Sequence, residues 1–197
     1  MSQTTPQLFK PTDVRTTPLW THHVSCQRHS TPYVAICILL MLLAVATPAT
    51  STPRVDVETG RSYMDGMGTS TAFLEGTWDP RPLGGRFTWS PDLSLGWISG
   101  RTNRRYHRTN YSAQLVAAGI RLHYGEDGDW YRHLFFSFQP ALHNGCTLAL
   151  SSVYEFVSTL GWQGRRFSVQ IRHISNGSLH KPNRGETMAL FGAAFDL

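Results

Sequence analysis

An apolar stripe in this chain ends in a histidine and a serine. Between 167 and 175, Phe167, Val169 and Ile171 alternate with Ser168, Gln170 and Arg172. That period of two belongs to a strand with one apolar and one polar face. Continued, it places His173 and Ser175 on the apolar face. Residues two apart on a strand lie roughly 7 Å apart at Cα and point the same way. A serine hydroxyl attacks an ester at neutral pH only when a base takes its proton, and His173 is the only imidazole on that face of the strand. The pair therefore suits acyl transfer, with Ser175 as nucleophile and His173 as base, facing lipid. The histidine needs an acceptor on its other ring nitrogen to fix the tautomer. The oxyanion needs donors, which the Asn176 amide and backbone N–H groups around Gly177 and Ser178 could supply. No metal or cofactor is required, and no credible metal-ligand spacing such as H-E-x-x-H appears.

Something must hold that strand. The chain has 197 residues, enough for one domain, with net charge +5, 41% apolar residues, 12% aromatics and 17 glycines. The balance suits a β-rich protein and argues against disorder or a helical bundle. Residues 34–46 form a continuous apolar run, too short for a spanning helix, which needs about 20 residues. The run matches the core of a secretory signal, with Ala44-Val45-Ala46 as cleavage pattern and Lys10, Arg15 and Arg28 before it. Residues 1–46 are expected to be a cleavable signal peptide with a long leader, and 47–197 the folded domain. With Lys10, Arg15, Arg28 and Asp13 gone the charge falls from +5 to +3, and of the cysteines only Cys146 remains. No disulfide can then form within the mature chain. An exported fold of this size needs another source of stability, and closed strand pairing in a membrane is one.

The remainder breaks into eight segments punctuated by glycine, proline or charge. They are 55–60, 69–79, 87–99, 112–124, 134–141, 152–162, 167–175 and 187–197. Several alternate apolar with polar or small residues, as a small membrane barrel requires. Trp78, Trp89, Trp97, Trp130 and Trp162 fall near strand ends or turns, where an interfacial girdle would sit. A soluble sandwich also fits these features. The chain end, 190–197, resembles the terminal strand of bacterial outer-membrane proteins, with leucine at the last position where phenylalanine is usual. The fold expected is an eight-stranded antiparallel transmembrane β-barrel. Its connections at 61–68, 100–111, 142–151 and 176–186 would be external, placing His173 and Ser175 near the outer leaflet.

His173-Ile174-Ser175-Asn176-Gly177, followed by Pro182-Asn183-x-Gly185 and a nearby carboxylate, resembles the signature of PagL-type lipid A 3-O-deacylases. The resemblance implies an outer-membrane barrel that removes the ester-linked acyl chain at the 3-position of lipid A. It implies Ser175 as nucleophile, His173 as base, Asn176 near the oxyanion and a glutamate that orients the histidine. Counted from the histidine, that glutamate falls on Thr187, and this chain has Glu186 one residue earlier. Either a bulge turns Glu186 outward, or the acid is missing and Thr187 or water assists a slower dyad; Glu186 is the expected acid. Expected partners are lipid A or whole lipopolysaccharide, membrane lipids, and a second copy in a homodimer, with no nucleic acid.

Other residues receive weaker assignments. Arg101, Arg104, Arg105, His107 and Arg108 would form a loop cluster, solvated or attracting lipid A phosphates. Glu155 and Arg172 would point inward as a structural pair. His123, His133, His143 and His180 would lie on the surface or in loops, and Cys146 would be an inert loop thiol. Two other readings compete: a non-catalytic barrel for envelope structure or adhesion, and an esterase acting on phospholipid.

Overall fold

The computed structural model describes residues 53–196, apart from 65, 104–107, 146, 148 and 182. The expected leader, Cys146, Arg104, Arg105 and His107 lie outside these. Strands β1 (Arg54–Met64), β2 (Met67–Thr77), β4 (Phe87–Ile98), β7 (Ala113–Tyr124), β8 (Leu134–Asn144), β9 (Tyr154–Gln163), β10 (Phe167–Ser175) and β11 (Glu186–Asp196) build the wall. Each pairs antiparallel with its neighbour, and β11 returns to β1, so eight strands close into a barrel. Closure leaves no open sheet edge in the wall. A short β3 (Arg81–Gly84) folds back on the start of β4, and β5 (Arg101–Asn103) with β6 (Arg108–Asn110) forms a separate hairpin between β4 and β7.

The wall follows the alternation. On β10, Phe167, Val169 and Ile171 are exposed while Ser168, Gln170 and Arg172 are buried. The same division gives the exterior Leu74, Phe136, Phe138, Leu160 and Phe191. An apolar outside around a polar inside reverses the arrangement of a soluble domain.

The interior is a network of charge. Arg121 meets Glu75 at 2.8 Å and Asp92 at 3.3 Å, and Arg172 meets Glu75 at 2.9 Å and Glu58 at 3.2 Å. Ser137 donates to Asp92 at 2.7 Å, and Gln170 to Glu58. The two guanidinium groups stack on buried rings, Arg121 on Phe135 at 4.0 Å and Arg172 on Phe73 at 4.4 Å. Gly161 makes room for Phe135, whose ring would lie 2.7 Å from a Cβ at that position. Such pairing is what permits ionised groups away from water.

Three expectations need correcting. Most of the segment 61–68 is strand rather than loop: β1 runs to Met64 and β2 starts at Met67, with Tyr63 outward and Ser62 and Met64 inward. The expected strand stopped at Gly60, ahead of the charged Arg61, but pairing with β11 extends to Tyr63↔Thr187 and carries the strand on. Glu155 and Arg172 both face inward, yet not toward each other. Arg172 serves Glu58 and Glu75, while Glu155 accepts from Ser152 at 3.2 Å and lies 3.6 Å from His143. His143 therefore stands on a strand with its ring buried, not on the surface.

Candidate active site

The two ends of the barrel differ. The end holding Arg54 and Asp196 carries the turns after β2, β7 and β9, and the other end carries the connections at 99–112, 145–153 and 176–185. His173 and Ser175 close β10 at this second end. His173 opposes Ser158 of β9 and Thr187 of β11, and Ser175 opposes Phe156. His173 and Thr187 are exposed on the outer face, and Ser175 is half-buried beside Phe156.

The histidine is held twice. Its Nδ1 lies 2.9 Å from Thr187 Oγ1. Its ring also packs over Gly185, where an added Cβ would stand 2.7 Å from Cε1 and 3.1 Å from Nε2. Gly185 has φ +66°, a conformation that glycine adopts without the Cβ penalty. In the tautomer whose Nδ1–H donates to Thr187, Nε2 keeps its lone pair and can accept a proton. No hydrogen bond joins His173 to Ser175 among the described residues; both side chains stand on one face, two residues apart.

Glu186 is placed elsewhere. It opposes Ile174, is buried, and takes Arg101 Nη2 at 2.9 and 2.7 Å on its two oxygens, with a further hydrogen bond from Ser62. No bulge interrupts β10–β11 pairing from Phe167↔Ala193 to Ile174↔Glu186. Strict alternation therefore turns Glu186 inward, and the structure joins His173 to Thr187 instead. The same contact removes Arg101 from the expected loop cluster, because its side chain is buried beneath the loop rather than displayed on it.

Asn176 is also turned inward. Its Nδ2 lies 3.2 Å from Ser151 Oγ and 3.2 Å from the His180 carbonyl, so the amide ties the 176–185 loop to the 145–153 loop. Its backbone N–H donates to Asn183 Oδ1 at 3.3 Å. The Leu179 N–H bonds the Asn176 carbonyl at 3.2 Å, closing a turn with Gly177 at φ +64° and Ser178 at φ +66°. Two successive positive φ values are those of a type I′ turn, and Ser178 is the one non-glycine residue among those described that adopts one. This turn brings the Gly177 and Ser178 backbone next to Ser175. His180, expected on a loop surface, packs its ring against Tyr154 with centroids 5.7 Å apart.

The sequence motif now has a structural reading. Asn183 holds the turn, Gly185 accommodates the imidazole and Thr187 orients it. Ser151 was not singled out as functional from sequence, and Gly185 entered only as part of the motif that carries the resemblance, with no role of its own.

No protein-family model matches the chain, and no curated protein matches it. Among solved structures, the outer membrane enzyme PagL superposes with a TM-score of 0.52 at 18% identity, covering 73% of this chain and 99% of that one. Ail, the attachment invasion locus protein of Yersinia pestis solved with the heparin analogue sucrose octasulfate, gives a TM-score of 0.36 at 7% identity, covering 74% and 98%. At this identity the likeness to PagL is one of fold: the chain shares the closed eight-stranded β-barrel of an outer-membrane protein.

Proposed function

We propose that the protein lies in the outer membrane of a Gram-negative cell and hydrolyses the ester linking the 3-position acyl chain to lipid A. Supporting this most is the His173 imidazole, on the apolar exterior in line with Ser175 and with Nδ1 held by Thr187. An even-stranded barrel puts its termini on the periplasmic side and its longer connections outside. Ser175 then meets the outer leaflet, which is lipopolysaccharide.

In the reaction, Nε2 of His173 takes the Ser175 proton as Oγ attacks the ester carbonyl. The tetrahedral oxyanion is met by backbone N–H groups of the Gly177–Ser178 turn, which Asn176 holds in shape. Collapse expels the sugar alkoxide, which receives the proton from His173 and leaves an acyl-serine. Water, deprotonated by the same histidine, releases the fatty acid and restores Ser175. Thr187 takes the orienting position in place of Glu186. It fixes the tautomer but adds no negative charge beside the imidazolium, so the enzyme is slow for its class.

That missing charge favours a second reading, a non-catalytic barrel used for envelope structure or adhesion. Folded protein in detergent, mixed with lipopolysaccharide and separately with phospholipid, distinguishes the readings by mass spectrometry. Release of a 3-hydroxy fatty acid from lipid A, lost in Ser175→Ala, is the expected result. Release from neither lipid supports the second reading, and release from phospholipid alone assigns a different ester.

A further inference from the structure

Gly185 and the first two residues of β11 are all committed around the histidine. Gly185 lies beneath its ring, Thr187 holds its Nδ1, and Glu186 between them points through the sheet to the interior. There Glu186 meets Arg101, their side chains only 3% and 6% exposed, through both carboxylate oxygens. Arg101 Nη1 donates to the Met67 carbonyl at 2.9 Å, and Ser62 donates to Glu186. One ion pair thus fastens the first residue of β11 to the ends of β1 and β2 and to the root of the connection after β4. It sits at the outer end of the barrel, where β10–β11 pairing stops at Ile174↔Glu186.

From this arrangement we infer that Arg101 and Glu186 are a positioning pair for the His173 base. They act through the backbone. Fixing Glu186 fixes the residues on either side, and these make both contacts to the imidazole. The Glu186 carboxylate touches neither the ring nor the acyl chain. The inference rests on the proposed esterase reading for its kinetic consequences, but its structural consequence does not.

The test uses the mature barrel folded in detergent, with hydrolysis of lipopolysaccharide and the nitrogen-15 shifts of the His173 ring read in parallel. Removing one member of a buried pair leaves the other charge unpaired, whereas removing both does not. Glu186→Gln and Arg101→Gln are each expected to lower kcat about tenfold with KM unchanged, since small misplacement of a catalytic group costs that much or more. Each should also erode the Nδ1–H tautomer of His173. The double variant should bring kcat to within about threefold of the parent and restore the tautomer. Ser62→Ala keeps the ion pair and should move both readouts less and in the same direction, so the test survives if a single charge variant does not fold. Single variants with kcat and ring shifts unchanged would overturn the inference. So would a double variant as slow as Glu186→Gln with the tautomer intact, because that marks a carboxylate acting on substrate directly. If the parent hydrolyses nothing, the esterase reading falls and the ring shifts alone decide the positioning role.

Discussion

At the scale of single residues, the proposed hydrolysis depends on what the imidazole of His173 touches. A hydroxyl orients the ring as a carboxylate would, without the charge that stabilises the imidazolium. Thr187→Glu should therefore raise kcat on lipid A, by about tenfold or more given that disabling a triad aspartate costs about 10⁴. Thr187→Val should lower it; initial rates of acyl release check both. Gly185→Ala puts a methyl against Cε1 at a positive φ and should lower kcat at least about tenfold while the barrel remains folded. His173, Ser175 and their common face were legible in the sequence, because a period of two is a local signal. The partner of the ring was not read correctly. Glu186 has the right chemistry and Thr187 the right parity, and only the unbulged register of β10 with β11 decides between them.

At the scale of elements, the alternation carried most of the information. Eight strands were visible as eight amphipathic segments, and their inward faces as polar or small positions. What each inward charge would meet was not visible, since such partners lie on strands far apart in sequence. Arg172 is the case in point: it joins Glu58 of β1 and Glu75 of β2. Arg172→Met leaves those carboxylates facing each other without their shared cation. It should destabilise the barrel by about 3–5 kcal/mol, measured by urea unfolding in micelles, and adding Glu75→Gln should recover most of the loss. The first hairpin escaped the sequence for another reason. The expected strand ended at Gly60, ahead of the charged Arg61, and only pairing with the last strand shows that Arg61, Ser62 and Tyr63 are wall.

At the scale of the whole molecule, a polar interior inside an apolar exterior fits a bilayer better than water. Ile171 is exposed at the midpoint of β10. Ile171→Arg should cost about 2–4 kcal/mol in a bilayer, the penalty for arginine at the midplane of a membrane barrel; on a soluble sandwich the same change would be near neutral. Unfolding of the variant in lipid vesicles measures it. The central claim, that Ser175 is an activated nucleophile facing lipid, is tested most directly by a long-chain alkyl phosphonate that traps reactive serines. The folded barrel is treated in micelles and its peptides are weighed. One adduct is expected, on Ser175, and it should disappear in His173→Gln. A folded barrel that takes no adduct at Ser175, or takes it equally well without the histidine, would contradict the claim.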